Sequence, residues 1–196
     1  MPQGPTFSTH LNSLNMNLRN WLSLFLFLPA ISFLNAQSAP RFVKTDIADS
    51  GTQIYLPGKP DPVEISLSQD SSIVYTVESL DTTTGAYFHF GSIVANLKQV
   101  DLRGMEEEML ISYMDYLKSV LQIESAAGYG KGHSLTTHPS AKGVLDYWQD
   151  VEGTHWVVKG WAAESTIIVM FIYGPKDYPN PQVVDLFFKG ARFKGD

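Results

Sequence analysis

Four histidines downstream of residue 36 carry the side chain best suited to bind a metal or transfer protons near neutral pH. They are His89, His133, His138 and His155. Because His133 and His138 are five positions apart, they point to opposite faces of any straight strand that holds both. No two histidines form a helical His-x-x-x-His or His-Glu-x-x-His motif. Neighbouring strands could still bring His138 and His155 together, but the spacing favours structural histidines, and we expect no metal and no cofactor.

Nucleophilic catalysis has no complete sequence signature in this chain. There is no cysteine, and both the Gly-x-Ser-x-Gly and the Ser-x-x-Lys motifs are missing. The glycine-rich run 128–132 follows a predicted helix and lacks the Gly-Lys-Ser/Thr ending of a nucleotide loop, which indicates a flexible linker. We expect a protein without catalytic activity. The alternative is a hydrolase that assembles Ser, His and Asp or Glu side chains from loops.

Aromatic residues near position 150 give the stronger functional hint. Aromatic rings on strands can stack on sugars or anchor a protein partner. The predicted binding residues are therefore Tyr147, Trp148, Trp156 and Trp161. The alternative is that these rings pack in the core. Trp156 and Trp161 are five positions apart, so we expect them to face opposite layers and at least one of them to be buried.

A strand hairpin from His155 to Tyr173 must position most of these aromatic rings. Its second half, Thr166 to Tyr173, is β-branched, aromatic or methionine at every position, which is typical of a strand covered on both faces. Gly160 within the run and Gly174 after it argue against a buried helix. The pattern predicts that this hairpin lies at the centre of a sheet.

Further strands and two helices are predicted around this hairpin. Val63–Leu67 and Ile73–Glu78 alternate in hydrophobicity and predict an antiparallel pair, while Gly91 indicates a bulge in a later strand. The periodicity of residues 101–123 predicts one long amphipathic helix, with Asp101 as its cap. The expected fold is α+β, with an antiparallel sheet of about six to eight strands, one long helix and one short helix.

The short helix has clear signals at both ends. Asn180 is a favourable cap, Pro181 suits the first helical position, and Gly190 lies just past the predicted end. Apolar residues at 184, 187, 188 and 191 share one side of this segment, so we expect the helix to close the core.

Size and charge limit the function classes. The chain has 196 residues, of which 44% are hydrophobic, which is enough for one globular domain. Its 14 basic and 20 acidic residues give a net charge of -6, which disfavours a nucleic-acid partner bound through a basic surface.

The N-terminal region resembles a signal for export. A short basic head with Arg19 precedes an apolar run from Trp21 to Phe33 and a small residue, Ala36, at the expected cleavage site. The run is too short for a membrane anchor, so we expect no stable membrane span after cleavage. We therefore predict an extension or untranslated segment at 1–15 with the start at either Met1 or Met16, a signal peptide at 16–36, a tether at 37–41 and one domain at 42–196. The predicted location is periplasmic or secreted.

The order of several short motifs resembles the PsbP-like superfamily. These motifs are Tyr55-Leu56-Pro57-Gly58-Lys59-Pro60, His138-Pro139-Ser140-Ala141-Lys142-Gly143, Tyr173-Gly174-Pro175 and Phe187-Phe188-Lys189-Gly190-Ala191-Arg192-Phe193. That superfamily includes small exported bacterial proteins, the extrinsic photosystem subunit and a Ran-binding import cofactor. The resemblance implies an αβα sandwich and an accessory or binding role without a shared active site. We therefore expect an exported, non-catalytic protein that binds an unknown protein or small molecule of the cell envelope through its sheet face or rim loops.

Overall fold

The centre of the fold is the predicted hairpin, formed by strands β9 (His155–Ala163) and β10 (Thr166–Gly174). The computed structural model describes residues 40–82, 87–174 and 179–196. Strand β10 lies between β9 and β5 (His89–Asn96), and residues 167–172 are all buried. The prediction of a central strand covered on both faces is confirmed.

Ten strands form two antiparallel sheets in the described part of the chain. The larger sheet has eight strands in the order β3-β4-β5-β10-β9-β8-β6, with β7 also paired to β8. Its remaining strands are β3 (Glu64–Leu67), β4 (Ile73–Leu80), β6 (Ile123–Ala126), β7 (Gly130–Leu135) and β8 (His138–Asp150). Strands β1 (Phe42–Asp46) and β2 (Gln53–Pro57) form a separate hairpin. The α+β class with an antiparallel sheet is therefore confirmed.

Each face of the large sheet carries its own apolar layer because inward residues alternate along the central strands. Helix α1 (Glu106–Val120) packs Leu110, Met114 and Leu117 on one side, called here the α1 face. Helix α2 (Pro181–Phe188) and the β1–β2 hairpin pack on the other side, called the α2 face. In the described residues, neither helix is long and apolar enough to span a membrane.

Helix α1 is shorter than predicted at both ends. Gly104 has a φ of +84° before the helix and Gln122 has a φ of +55° after it, and this left-handed conformation interrupts helical geometry. The predicted cap Asp101 instead accepts a hydrogen bond from the Arg103 amide in the preceding turn, and Ile123 begins β6. The predicted cap of α2 is confirmed, because Asn180 Oδ1 accepts from the Gln182 amide at 2.9 Å.

Two glycine predictions were wrong. Gly91 forms no bulge, since it pairs in register with Phe171, and a Cβ there would lie 2.4 Å from the Phe171 ring. Close packing therefore requires this glycine. The run 128–132 is not a linker, because Gly130 begins strand β7 and pairs with Leu145 of β8.

Candidate functional site

A groove of about 710 Å³ lies on the α2 face, walled by helix α2 and strands β7, β8 and β9, and it is called here the α2 groove. Its volume falls within the range of about 300–1,000 Å³ that is common for small-molecule sites. The lining residues are Gly132, His133, Ser134, Leu145, Tyr147, Val157, Lys159, Trp161, Pro179, Pro181, Val184, Asp185, Phe188 and Lys189.

Strand alternation determines which side chains reach the groove. Val157, Lys159 and Trp161 lie at every second position of β9, so they share the α2 face. Across the ladder, Leu145 pairs with Lys159 and Tyr147 pairs with Val157. The floor of the groove is therefore apolar and aromatic around a single lysine.

Lys159 is the unusual residue of this floor. It is half-buried, its Nζ lies 4.6 Å from the centroid of the Trp161 ring, and it forms no hydrogen bond or salt bridge with any described residue. Burial lowers the pKa of Lys159; the Asp185 carboxylate opposes this effect, and the charge of Lys189 adds to it. The geometry thus holds a partly desolvated ammonium group beside an open cavity.

The other described ionisable groups of the groove compensate this charge only in part. Asp185 Oδ2 forms a salt bridge of 2.7 Å with Lys189 Nζ one helical turn further along. Burial lowers the pKa of His133 from 6.5, and the charge of Lys159 lowers it further. Both effects favour the neutral form of His133. The arrangement suits an anion with an apolar body better than it suits acid–base chemistry.

The four predicted binding residues are divided between the two faces. Trp148 and Trp156 lie on the α1 face with exposures of 1% and 8%, while Trp161 lies on the α2 face with 1%. The expected opposite orientation of Trp156 and Trp161 is confirmed. The three indoles do not form an exposed platform in this arrangement, because the sheet packs them inside its two layers. Tyr147 is 39% exposed and lines the groove, as Trp161 also does.

Two of these indoles can be buried without an unsatisfied N–H group, because each donates a hydrogen bond to an aspartate. Trp148 Nε1 donates to Asp146 Oδ2 at 2.8 Å, and Trp156 Nε1 donates to Asp150 Oδ2 at 2.9 Å. By contrast, Trp161 Nε1 is buried and has no hydrogen-bond partner among the described residues. Trp161 is therefore the one of the three indoles whose N–H group has no hydrogen-bond partner among the described residues.

The histidines are dispersed. His133 lines the α2 groove, His89 stacks on the ring of Tyr173, and His138 Nδ1 lies 2.8 Å from Asp196 Oδ1. Over residues 40–82, 87–174 and 179–196, no three His, Asp or Glu side chains are grouped in a way that could hold a metal ion.

A feature of the sequence other than the aromatic residues marks Lys159 as a candidate site residue. Lys159 occupies the same strand parity as Val157 and Trp161, inside a run that is otherwise apolar at both parities. A lysine at such a position is rarely buried unless it is paired or functional. The participation of α2 could not be inferred in the same way, because it depends on the tertiary fold.

No family model matches this chain, and no curated protein matches it.

Proposed function

We propose that this chain is an exported, non-catalytic binding protein of PsbP-like fold, and that its ligand is a small organic molecule held in the α2 groove. The observation that carries the proposal is Lys159, which is half-buried on the apolar floor of the groove and whose ammonium group forms no hydrogen bond or salt bridge with a described residue. Small-molecule sites combine an apolar lining with a few polar groups in the same way.

The groove supports binding better than catalysis. His133 and Ser134 are adjacent on β7, so their side chains point to opposite sides of the strand and are poorly placed to act on each other. Among the described residues, neither side chain forms a hydrogen bond with the other or with an acidic side chain. A catalytic nucleophile must hydrogen-bond to its base, and a third group usually orients that base.

Blocking the groove tests the proposal directly. Val184→Trp adds an indole ring to the wall of the groove, whereas Leu186→Trp adds the same ring to the same helix at a residue that is 54% exposed and does not line it. We expect small aromatic ligands to shift the amide resonances of β9 in the wild type and the Leu186 variant, but not in the Val184 variant. Equal shifts in both variants would show that the ligand binds elsewhere.

The hydrolase alternative has one specific observation in its favour. His138 is held by the Asp196 carboxylate, whose side chain is 6% exposed, and a carboxylate of this kind orients the base of many catalytic triads. No serine hydroxyl forms a hydrogen bond with His138 in the described ranges. If the purified protein hydrolyses an ester and His138→Ala abolishes turnover, the hydrolase replaces the binding protein.

Export is tested separately from binding. Residues 1–36 lie outside the described residues, so the proposed signal peptide depends on the sequence pattern alone. We expect the exported protein to begin near Gln37 and to remain soluble. Intact-mass measurement of exported protein that retains the apolar run from Trp21 to Phe33 would contradict this.

A further inference from the structure

We propose that the ligand of the α2 groove is an organic monoanion, a carboxylate with an aromatic or branched aliphatic body, whose charge pairs with Lys159. The inference rests on the proposed function, because it assigns a chemical class to the ligand of that same groove.

The single negative charge of the proposed ligand is inferred from the ionisable groups that line the groove. Among the described residues they comprise two lysines, one aspartate and one histidine, apart from the tyrosine hydroxyl. The Lys189–Asp185 salt bridge cancels one positive charge, and the lowered pKa of His133 favours its neutral form. One positive charge therefore remains, on Lys159. A bound monoanion neutralises it, whereas a dianion would leave an uncompensated negative charge in an apolar cavity.

Lys159 occupies a position that packing alone would assign to an apolar residue. Its neighbours across the sheet are Leu145 on β8 and the fully buried Met170 on β10. The ammonium group is partly desolvated and forms no salt bridge with a described residue, which costs stability unless a ligand supplies the opposite charge. A carboxylate ligand supplies it and forms a strong charge-assisted hydrogen bond.

Helix α2 cannot provide the extra donors that a phosphate group needs. Backbone amides at a helix N-terminus commonly bind phosphate. In α2, Pro181 occupies the first turn and has no amide hydrogen, and the Gln182 amide already donates to Asn180 Oδ1. The amides of Val183 and Val184 both bond to the Asn180 carbonyl. The single ammonium group of Lys159 therefore matches a carboxylate better than a phosphate, which binds through several donors.

The body of the ligand is inferred from the apolar walls. Val157, Leu145, Val184 and Phe188 present aliphatic and aromatic surface beside the Trp161 ring. Burying this surface favours a compact apolar body, worth about 25 cal/mol per Å² removed from water. A fully polar carboxylate such as a short hydroxy acid would leave these walls in contact with polar groups.

A matched ligand series tests the charge. Binding of 3-phenylpropionate, 3-phenylpropionamide, 3-phenylpropylamine and phenyl phosphate is measured by calorimetry on the purified protein. We expect the carboxylate to bind at least about tenfold more tightly than the amide, a difference of about 1.4 kcal/mol. The amine should bind most weakly, and phenyl phosphate should bind no more tightly than the carboxylate.

Variants of the protein locate the charge. Lys159→Met keeps the apolar stem and removes the ammonium group, so the carboxylate should lose its advantage while affinity for the amide stays unchanged. Lys142→Met is the control, because it removes an equal charge from an exposed lysine on β8 that does not line the groove. The control variant should keep the full preference for the carboxylate.

The outcomes separate the two proposals. Equal affinity for carboxylate and amide in the wild type, tighter binding of phenyl phosphate or of the amine, or an unchanged preference in Lys159→Met would each overturn the monoanion assignment and leave groove binding intact. If no member of the series binds, or if Val184→Trp binds the whole series as the wild type does, the proposed function itself fails.

Discussion

The two faces of the large sheet each hold a partly buried lysine beside a tryptophan, and the two lysines are in opposite situations. On the α1 face, Lys118 Nζ lies 2.9 Å from the fully buried carboxylate of Asp146 and also donates to Tyr129 Oη at 2.9 Å. On the α2 face, Lys159 has no such partner among the described residues and lies over the ring of Trp161. One lysine belongs to a closed network and the other faces a cavity.

The pKa directions of the two lysines reflect this difference. Burial opposes the charge of Lys118, but the hydrogen bonds with Tyr129 and Asp146 and the charge of Asp146 outweigh burial and raise its pKa. For Lys159, burial dominates and lowers the pKa. A buried lysine therefore indicates a ligand site only when the protein supplies no counter-ion, and this criterion separates the two faces.

The largest expected effect comes from a charge placed in β10, which tests whether both faces are packed cores. Ile168 is 0% exposed on the α2 face, and Phe171 is 4% exposed on the α1 face. We expect Ile168→Asp and Phe171→Asp each to abolish folding, because an unpaired buried carboxylate costs several kcal/mol out of a total of about 5–15 kcal/mol. Thermal melting followed by circular dichroism measures this. A variant that melts within a few degrees of the wild type would show that its face is not a packed core.

Removal of the Lys118 counter-ion should have the next largest effect. Asp146→Asn keeps an acceptor oxygen but removes the buried carboxylate and leaves Lys118 only the exposed carboxylate of Asp115, and breaking a buried pair in this way costs about 3–5 kcal/mol. We expect the lower end, because the Lys118 side chain is 18% exposed. Urea unfolding gives the change in the free energy of unfolding.

Two further variants calibrate that result. Asp115 Oδ1 lies 3.6 Å from Lys118 Nζ with a side chain that is 59% exposed, so Asp115→Asn should cost less than about 1 kcal/mol. The double variant Lys118→Met, Asp146→Asn should regain part of the loss, since no unpaired charge remains. A full loss in the double variant would mean that the charge pair is not what stabilises this network.

Substitution of one glycine on each face compares how tightly the two faces are packed, with a smaller expected effect on stability. A Cβ on Gly143 would lie 2.2 Å from the Trp161 ring, and one on Gly160 would lie 2.5 Å from Leu110 Cδ1. The leucine end can rotate, whereas the indole ring must move as a unit. We therefore expect Gly143→Ala to cost about 1–3 kcal/mol and Gly160→Ala to cost less. The midpoints of thermal melting report the order, and the reverse order would show that the α1 face is the more rigid one.

The parts of the fold that the sequence predicted well depend on local pattern. The central hairpin follows from two largely apolar runs, and the Asn180 cap follows from a side-chain oxygen that accepts a hydrogen bond from the helix. The ends of α1 could not be predicted in this way. They depend on left-handed backbone at Gly104 and Gln122, and Gln122 carries no strong signal for that conformation.

The candidate site was predicted only in part. The aromatic side chains of Tyr147 and Trp161 predict a binding role for both residues, and both line the groove. The roles of Trp148 and Trp156 depend on Asp146 and Asp150, whose carboxylates bind the indole N–H groups inside the fold. Strand pairing decides such contacts, so composition alone does not distinguish a binding ring from a packed one.

The smallest expected effect is on the stability of the free protein when Lys159 is replaced. Lys159→Met removes a partly desolvated charge but also a cation–π contact worth about 0.5–1 kcal/mol. We expect the two effects to offset each other within about 1 kcal/mol at pH 7. Lys118→Met should be clearly destabilising under the same conditions, because it leaves the buried Asp146 carboxylate unpaired.

The pH dependence of these two variants separates the lysines even where their effects at pH 7 are small. Between its lowered pKa and 10.5, Lys159 binds fewer protons in the folded state than in the unfolded state. The free energy of unfolding of the wild type should therefore rise with pH in this window, relative to Lys159→Met. Lys118 has the opposite sign, because its raised folded pKa means that the wild type loses stability relative to Lys118→Met as pH rises above 10.5. Urea unfolding at several pH values measures both differences. The Lys118 difference includes a contribution from Tyr129, because Lys118 donates a hydrogen bond to its hydroxyl and lowers its pKa. If the wild type instead loses stability relative to Lys159→Met as pH approaches 10.5, then Lys159 already has a counter-ion in the folded protein, and the distinction between the two faces is wrong.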